Sequence, residues 1–118
     1  MGETRVDVTI RNPADPDRSW EGEFVVDTGA TNSVVPRRHL ESIGLKPIGH
    51  RTYGLADGSE YQAEIGAALV EFLGEWSAST VVFGPDDAEP LLGLTALEST
   101  GFKVDSVNEC LQRAKLRL

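Results

Sequence analysis

The chain has very few of the residues that most often build metal-binding or nucleophilic centres. Among its 118 residues there are one cysteine, Cys110, and two histidines, His39 and His50. A single cysteine excludes an intrachain disulfide, a thiolate zinc cluster and a CxxC redox pair. With two imidazoles, a metal site of the usual His/Cys kind and a Ser/His or Cys/His nucleophile system are poor hypotheses. A metal-dependent hydrolase would need clustered ligands that the chain does not offer.

The sequence is also short of positive charge and of long apolar runs. Eleven Lys and Arg stand against nineteen Asp and Glu, which gives a formal charge of -8. A partner held by phosphate contacts needs clustered Lys and Arg, so we expect no nucleic-acid partner. No stretch approaches the roughly 20 apolar residues that span a bilayer, and residues 1–5 lack the apolar run of a secretory signal. We therefore expect no membrane partner and a soluble, cytoplasmic protein.

The length and the pattern of apolar residues predict one small, mostly β domain covering 1–118. Residues 6–10 alternate apolar and polar side chains, as a half-buried strand does. Residues 20–26 form a second predicted strand, whose apolar end indicates burial on both faces. Short helices are predicted over 36–43 and 94–100, each followed by a glycine. Further strands are predicted at 33–35, 46–53, 59–70, 76–83 and 102–104, with a last one within 108–116.

The main candidate for chemistry is Asp27, which follows a buried strand directly and is succeeded by Thr28, Gly29 and Ala30. An isolated carboxylate resists desolvation strongly. Gly29 can adopt backbone angles that turn amide N–H groups towards the carboxylate, while Thr28 offers a hydroxyl and Ala30 permits close approach of another chain. The alternative is an ordinary turn in which Asp27 bonds its own backbone. For a second acid, Asp57, we favour a hairpin-turn role over a catalytic one.

The segment Asp27-Thr28-Gly29-Ala30 resembles the signature of the retropepsin-like aspartic proteases. Leu91-Leu92-Gly93-Leu94, followed by a short helix, is similar to their second motif, and the hairpin around residues 53–58 falls where their flap would be. The resemblance covers about residues 6–104 and is nearest to the single-domain cellular and prokaryotic members. It implies a closed, mostly antiparallel acid-protease barrel with one or two short helices.

The resemblance also implies a function. A pepsin-type enzyme carries two such motifs in one chain, whereas this chain carries one, so the implied enzyme is a homodimeric aspartic endopeptidase that needs no metal and no cofactor. Catalysis is assigned to Asp27, Thr28 and Gly29. Two close carboxylates share one proton, and the ionised one activates a water against a peptide or protein substrate. The expected substrate-binding residues are Ala30, Gly54, Leu55, Ala56, Val82, Leu91 and Leu92.

The sequence departs from the viral pattern beside the signature. Thr31, Asn32 and Leu94 stand where many viral relatives have acidic and basic residues that pair to brace the active-site loops. The chain therefore lacks that ionic brace, which bears on how the dimer is held together. A catalytically idle dimerisation or peptide-binding module is the alternative function, because a fold can be kept without its chemistry.

Overall fold

The structure, a computed structural model, describes residues 3–118. Met1 and Gly2, the start of the segment in which the sequence shows no secretory signal, lie outside the described residues. The elements are β1 (Arg5–Asn12), β2 (Asp15–Asp27), β3 (Ser33–Pro36), α1 (Arg37–Ser42), β4 (Gly49–Gly54), β5 (Glu60–Phe72), β6 (Glu75–Gly84), β7 (Leu91–Gly93), α2 (Leu94–Thr100), β8 (Phe102–Asp105) and β9 (Cys110–Arg113).

Six of these strands close into a ring. They follow one another in the order β1-β2-β7-β3-β6-β5, and β5 returns to pair with β1. Most of the pairings are antiparallel, whereas β2–β7 and β3–β6 are parallel. The predicted closed, mostly antiparallel β domain with short helices is therefore confirmed. Strand β4 lies outside the ring and pairs with the first part of β5, so the β4–β5 hairpin extends beyond the barrel.

The insertion of β7 is the topological feature that builds the site. This three-residue strand lies between β2 and β3, the two strands that flank the Asp27 loop. It pairs Asp27 with Gly93 on one side and Val34 with Leu91 on the other. Residues more than 60 positions apart in the sequence are thereby fixed side by side at the end of β2.

The core fills the ring with aliphatic and aromatic side chains. Phe24, Phe72, Leu92 and Leu97 have almost no exposed surface, and α2 packs its buried residues against this core. Each fully buried side chain of this size stabilises the fold by roughly 1.5–3 kcal/mol relative to exposure. Helix α2 ends at Gly101, whose φ of 80° is a left-handed conformation that glycine adopts without strain.

Several boundaries differ from the predicted ones. Strand β2 begins at Asp15 and not at residue 20, because a two-residue turn at Pro13-Ala14 lets β1 and β2 pair along nearly their full length. Strand β4 begins at Gly49, three residues later than predicted. The C-terminal strand is confined to Cys110–Arg113, where it pairs with β8. Within residues 3–118, no helix is long and apolar enough to cross a membrane.

Candidate active site

Asp27 is the last residue of β2 and is partly buried. The backbone N–H of Gly29 donates to Asp27 Oδ1 at 2.9 Å, and the Ala30 N–H donates to the Asp27 carbonyl at 3.1 Å. Thr28 and Gly29 are exposed. The carboxylate is thus held by its own loop, as a turn would hold it, and faces solvent on its free side.

Gly93 allows the second motif to approach the Asp27 loop. A Cβ at this position would lie 2.5 Å from the Asn32 carbonyl carbon and 2.8 Å from the Ser33 nitrogen, well inside van der Waals contact. The Gly93 N–H donates to the buried Ser33 Oγ at 3.0 Å. These neighbours are backbone atoms that cannot rotate away. Only the hydrogen atom of a glycine therefore fits at this position.

Neutral hydrogen bonds connect the loop after Ala30 to the start of α2. The Leu94 N–H donates to the Ala30 carbonyl at 2.8 Å. Both the N–H and the hydroxyl of Thr95 donate to the Thr31 carbonyl, at 3.1 and 2.7 Å. Within one subunit, these bonds link the same two loops that the missing ionic brace links in viral relatives. The sequence indicated the missing charges but not this replacement.

A cleft of about 530 Å³ opens between the Asp27 loop and the β4–β5 hairpin. Of the sequence-predicted site residues, Asp27, Gly29, Ala30, Gly54, Leu55, Ala56 and Val82 line it. Among the described residues that line it, Asp27 carries the one charged side chain, and the walls are largely apolar and aromatic. The lining residues that sequence reasoning missed include Val34, Tyr53, Tyr61, Ala63 and Phe83.

Three predicted site residues lie elsewhere. Leu92 has no exposed surface and belongs to the barrel core, so the prediction that it contacts substrate is wrong. Leu91 is partly exposed but does not line the cleft. The alternation of a strand places these two neighbours on opposite faces, and neither face is directed into the cleft. Thr28 lines a separate hollow beside α2 and β8.

A hydrogen bond joins the part of the hairpin near its tip to the Asp27 loop. The Tyr53 hydroxyl on β4 donates to Asn32 Oδ1 at 2.7 Å. Asn32 is 7% exposed, so its amide oxygen depends on this partner. The contact, here called the Tyr53–Asn32 bridge, holds the hairpin against the loop that follows Asp27. In the sequence, the position of Asn32 immediately before an apolar strand is one signal for such a contact. No signal in the sequence identifies Tyr53 as its partner.

The tip of the hairpin is a capped turn. Asp57 Oδ1 accepts hydrogen bonds from the Ser59 hydroxyl at 2.5 Å and from the Ser59 N–H at 2.9 Å. These bonds hold the pKa of Asp57 below its usual value. Gly58 follows with a φ of 87°. Asp57 therefore has the turn role favoured from the sequence.

The fold and this site define a protein of the aspartic-protease type. A family model described as "gag-polyprotein putative aspartyl protease" matches residues 19–99, and the chain belongs to that family. The solution structure of the simian foamy virus (mac) protease is similar, with a TM-score of 0.55 and 22% sequence identity over 79% of this chain and 90% of the viral one. At this identity the likeness concerns the fold. No curated protein matches the chain.

Proposed function

We propose that the protein is a homodimeric aspartic endopeptidase in which Asp27 of each subunit supplies one carboxyl group of the catalytic pair. The observation that carries the proposal is that Asp27 lines a cleft of about 530 Å³ whose other wall is the β4–β5 hairpin. The chain has one such motif, and a two-fold axis beside Asp27 would supply the second carboxyl group.

In this mechanism the two carboxyl groups hold one proton between them, since two close charges of the same sign repel. The ionised carboxylate takes a proton from a bound water while the water oxygen attacks the scissile carbonyl carbon. The protonated carboxyl donates its proton to the carbonyl oxygen, which gives a tetrahedral diol. The C–N bond then breaks as the nitrogen takes a proton from the protonated carboxyl group, while a hydroxyl of the diol gives its proton to the ionised carboxylate, so the pair again holds one proton.

The remaining predicted site residues take positioning and binding roles. Gly29 holds Asp27 through its N–H and leaves the approach to the carboxylate open. Thr28 is exposed beside Asp27, where a hydroxyl can bond to the partner subunit across the axis. Ala30, Gly54, Leu55, Ala56 and Val82 contact an extended peptide, with the hairpin pairing to it as an added strand.

The test is cleavage of a diverse peptide library by wild type and by Asp27→Asn, with Asp17→Asn as a control that removes an exposed acid on β2 away from the residues that line the cleft. We expect Asp27→Asn to lose activity and Asp17→Asn to retain it. Adding a threefold excess of Asp27→Asn to wild type should lower activity to about a quarter, since mixed dimers have one working carboxyl group.

Two results would count against the proposal. Cleavage that persists in Asp27→Asn would come from another group or a contaminant. Unchanged activity in the mixing experiment, with subunit exchange verified by size, would exclude a shared site. If both proteins are folded and dimeric, bind peptides equally and cleave none, the idle peptide-binding module is the better description.

A further inference from the structure

Beside the main cleft lies a second hollow of about 550 Å³, here called the polar hollow. It shares Thr31, Asn32, Tyr53 and Gly54 with the cleft, so the two spaces are contiguous and the Tyr53–Asn32 bridge stands between them. The rest of its lining comes from β4, from β6 and from the start of α2: Arg51, Thr52, Ala78, Ser79, Thr80 and Thr95.

The two spaces differ in chemistry. The main cleft is walled largely by apolar and aromatic side chains, whereas most residues that line the polar hollow carry a hydroxyl or an amide group. Three of these hydroxyls are already engaged: the Tyr53 hydroxyl donates to Asn32 Oδ1, Thr95 Oγ1 donates to the Thr31 carbonyl, and Ser79 Oγ bonds to Ser77 Oγ. Among the described residues that line the hollow, Arg51 supplies the one charged side chain, and no acid accompanies it.

Arg51 is available for a ligand. Its side chain is exposed and forms no ion pair with the residues that the structure describes, although the chain has a formal charge of -8. Arg51 and Tyr53 are two residues apart on β4, so they share one face of the hairpin, and that face turns towards the active-site loop. A guanidinium in this position is suited to bind a carboxylate through parallel hydrogen bonds.

We infer that the polar hollow is a subsite in which Arg51 selects an acidic side chain of an extended peptide substrate. The inference rests on the proposed function, and it specifies the substrate class as an apolar centre flanked by acidic residues. Gly54 lines the main cleft together with Asp27, and Arg51 precedes Gly54 by three residues, or about 10 Å of strand. In the proposed mode of binding, with Gly54 opposite the scissile bond, the acidic residue lies roughly three or four positions from that bond. In a two-fold dimer, each end of the shared cleft carries one such subsite.

Because Arg51 is exposed, the preference for an acidic residue that it can provide is small. A single solvent-exposed ion pair changes an equilibrium by about two- to fivefold, and that is the preference expected for Glu over Gln at the selected position. At an ionic strength of about 1 M, where screening acts within roughly 3 Å, the preference should fall close to one.

The experiment uses fluorescein-labelled peptides with a central Leu-Phe pair in an Ala/Ser background, carrying one Glu or one Gln at each flanking position in turn. The kcat/KM of each Glu/Gln pair is measured with wild type, Arg51→Gln and the control Arg117→Gln, which removes the same charge from the C-terminal tail. We expect one position with a two- to fivefold Glu preference that Arg117→Gln keeps and Arg51→Gln loses. Arg51→Glu should prefer Lys at that position.

A binding measurement separates this inference from the proposed function. The same peptides are titrated into Asp27→Asn, with and without Arg51→Gln, and their fluorescence anisotropy is recorded. A Glu preference in binding that depends on Arg51 supports the subsite even if no peptide is cleaved. A Glu/Gln ratio of one at every position, or a preference that survives Arg51→Gln, overturns the inference while leaving Asp27-dependent cleavage as a separate result.

Discussion

Replacing Gly93 by alanine tests the close backbone packing of β7 against Asn32 and Ser33. The added methyl group would lie 2.5 Å from the Asn32 carbonyl carbon, 2.7 Å from its oxygen and 2.8 Å from the Ser33 nitrogen. The φ of Gly93 is -87° and its ψ is 168°, an extended conformation that alanine adopts freely. Any destabilisation therefore comes from the contact and not from backbone strain.

The expected loss in the free energy of unfolding follows from the atoms that the methyl group would contact. Overpacking of a filled site costs about 1–3 kcal/mol, and the upper part of that range applies because the atoms that must shift are backbone atoms of Asn32 and Ser33. In a domain of this size 1 kcal/mol corresponds to roughly 4 °C in Tm, so a fall of about 8–12 °C is expected. The shift also moves the strand that pairs with Asp27, so activity should fall even where the variant is folded.

The assay is thermal unfolding followed by circular dichroism, at one fixed protein concentration because the proposed dimerisation would make Tm depend on concentration. Gly49→Ala is the matched control, since a Cβ there meets no atom within 4 Å. We expect the control to unfold within about 2 °C of wild type, as surface substitutions usually do. A Gly93→Ala variant that also stays within this range would refute the reasoning that β7 is locked against the Asp27 loop.

Two further predictions concern the hairpin and the response to acid. Tyr53→Phe leaves the buried Asn32 amide oxygen without its 2.7 Å partner, so a loss of about 1–2 kcal/mol in urea unfolding and a raised KM are expected; additivity with Asn32→Ala in a double-mutant cycle would contradict the bridge. Burial, and then the charge of Arg38, lower the pKa of His39. Because the unfolded chain takes up that proton first, stability should fall as pH drops below about 6.5. Urea midpoints at neutral and acidic pH should show a smaller fall for His39→Gln, and an equal fall would exclude this role.

The environment of His39 was not apparent from the sequence. Its ring stacks on Trp20, with centroids 3.9 Å apart and planes within 10°. Trp20 lies on β2 and His39 on α1, so the contact depends on how helix and sheet pack. Periodicity within one element carries no information about such a neighbour.

The sequence determined the elements and the position of the candidate catalytic carboxylate. Alternating apolar residues specify strands because a half-buried strand has a period of two, and the glycines after both helices mark their ends. The apolar run before Asp27, together with Gly29, was sufficient to identify the carboxylate and the loop that holds it. These features depend on residues adjacent in the chain, where steric and hydrogen-bonding rules act directly.

The tertiary structure decided which distant residues surround that carboxylate. Pairing of Asp27 with Gly93, the Tyr53–Asn32 bridge and the position of Arg51 all depend on how strands far apart in sequence are arranged in the ring. Leu92 shows the limit of sequence-based prediction most clearly. Its motif suggested substrate contact, but its side chain is buried in the core. Strand order and the facing of a three-residue strand arise from the closure of the whole barrel, which no local pattern encodes.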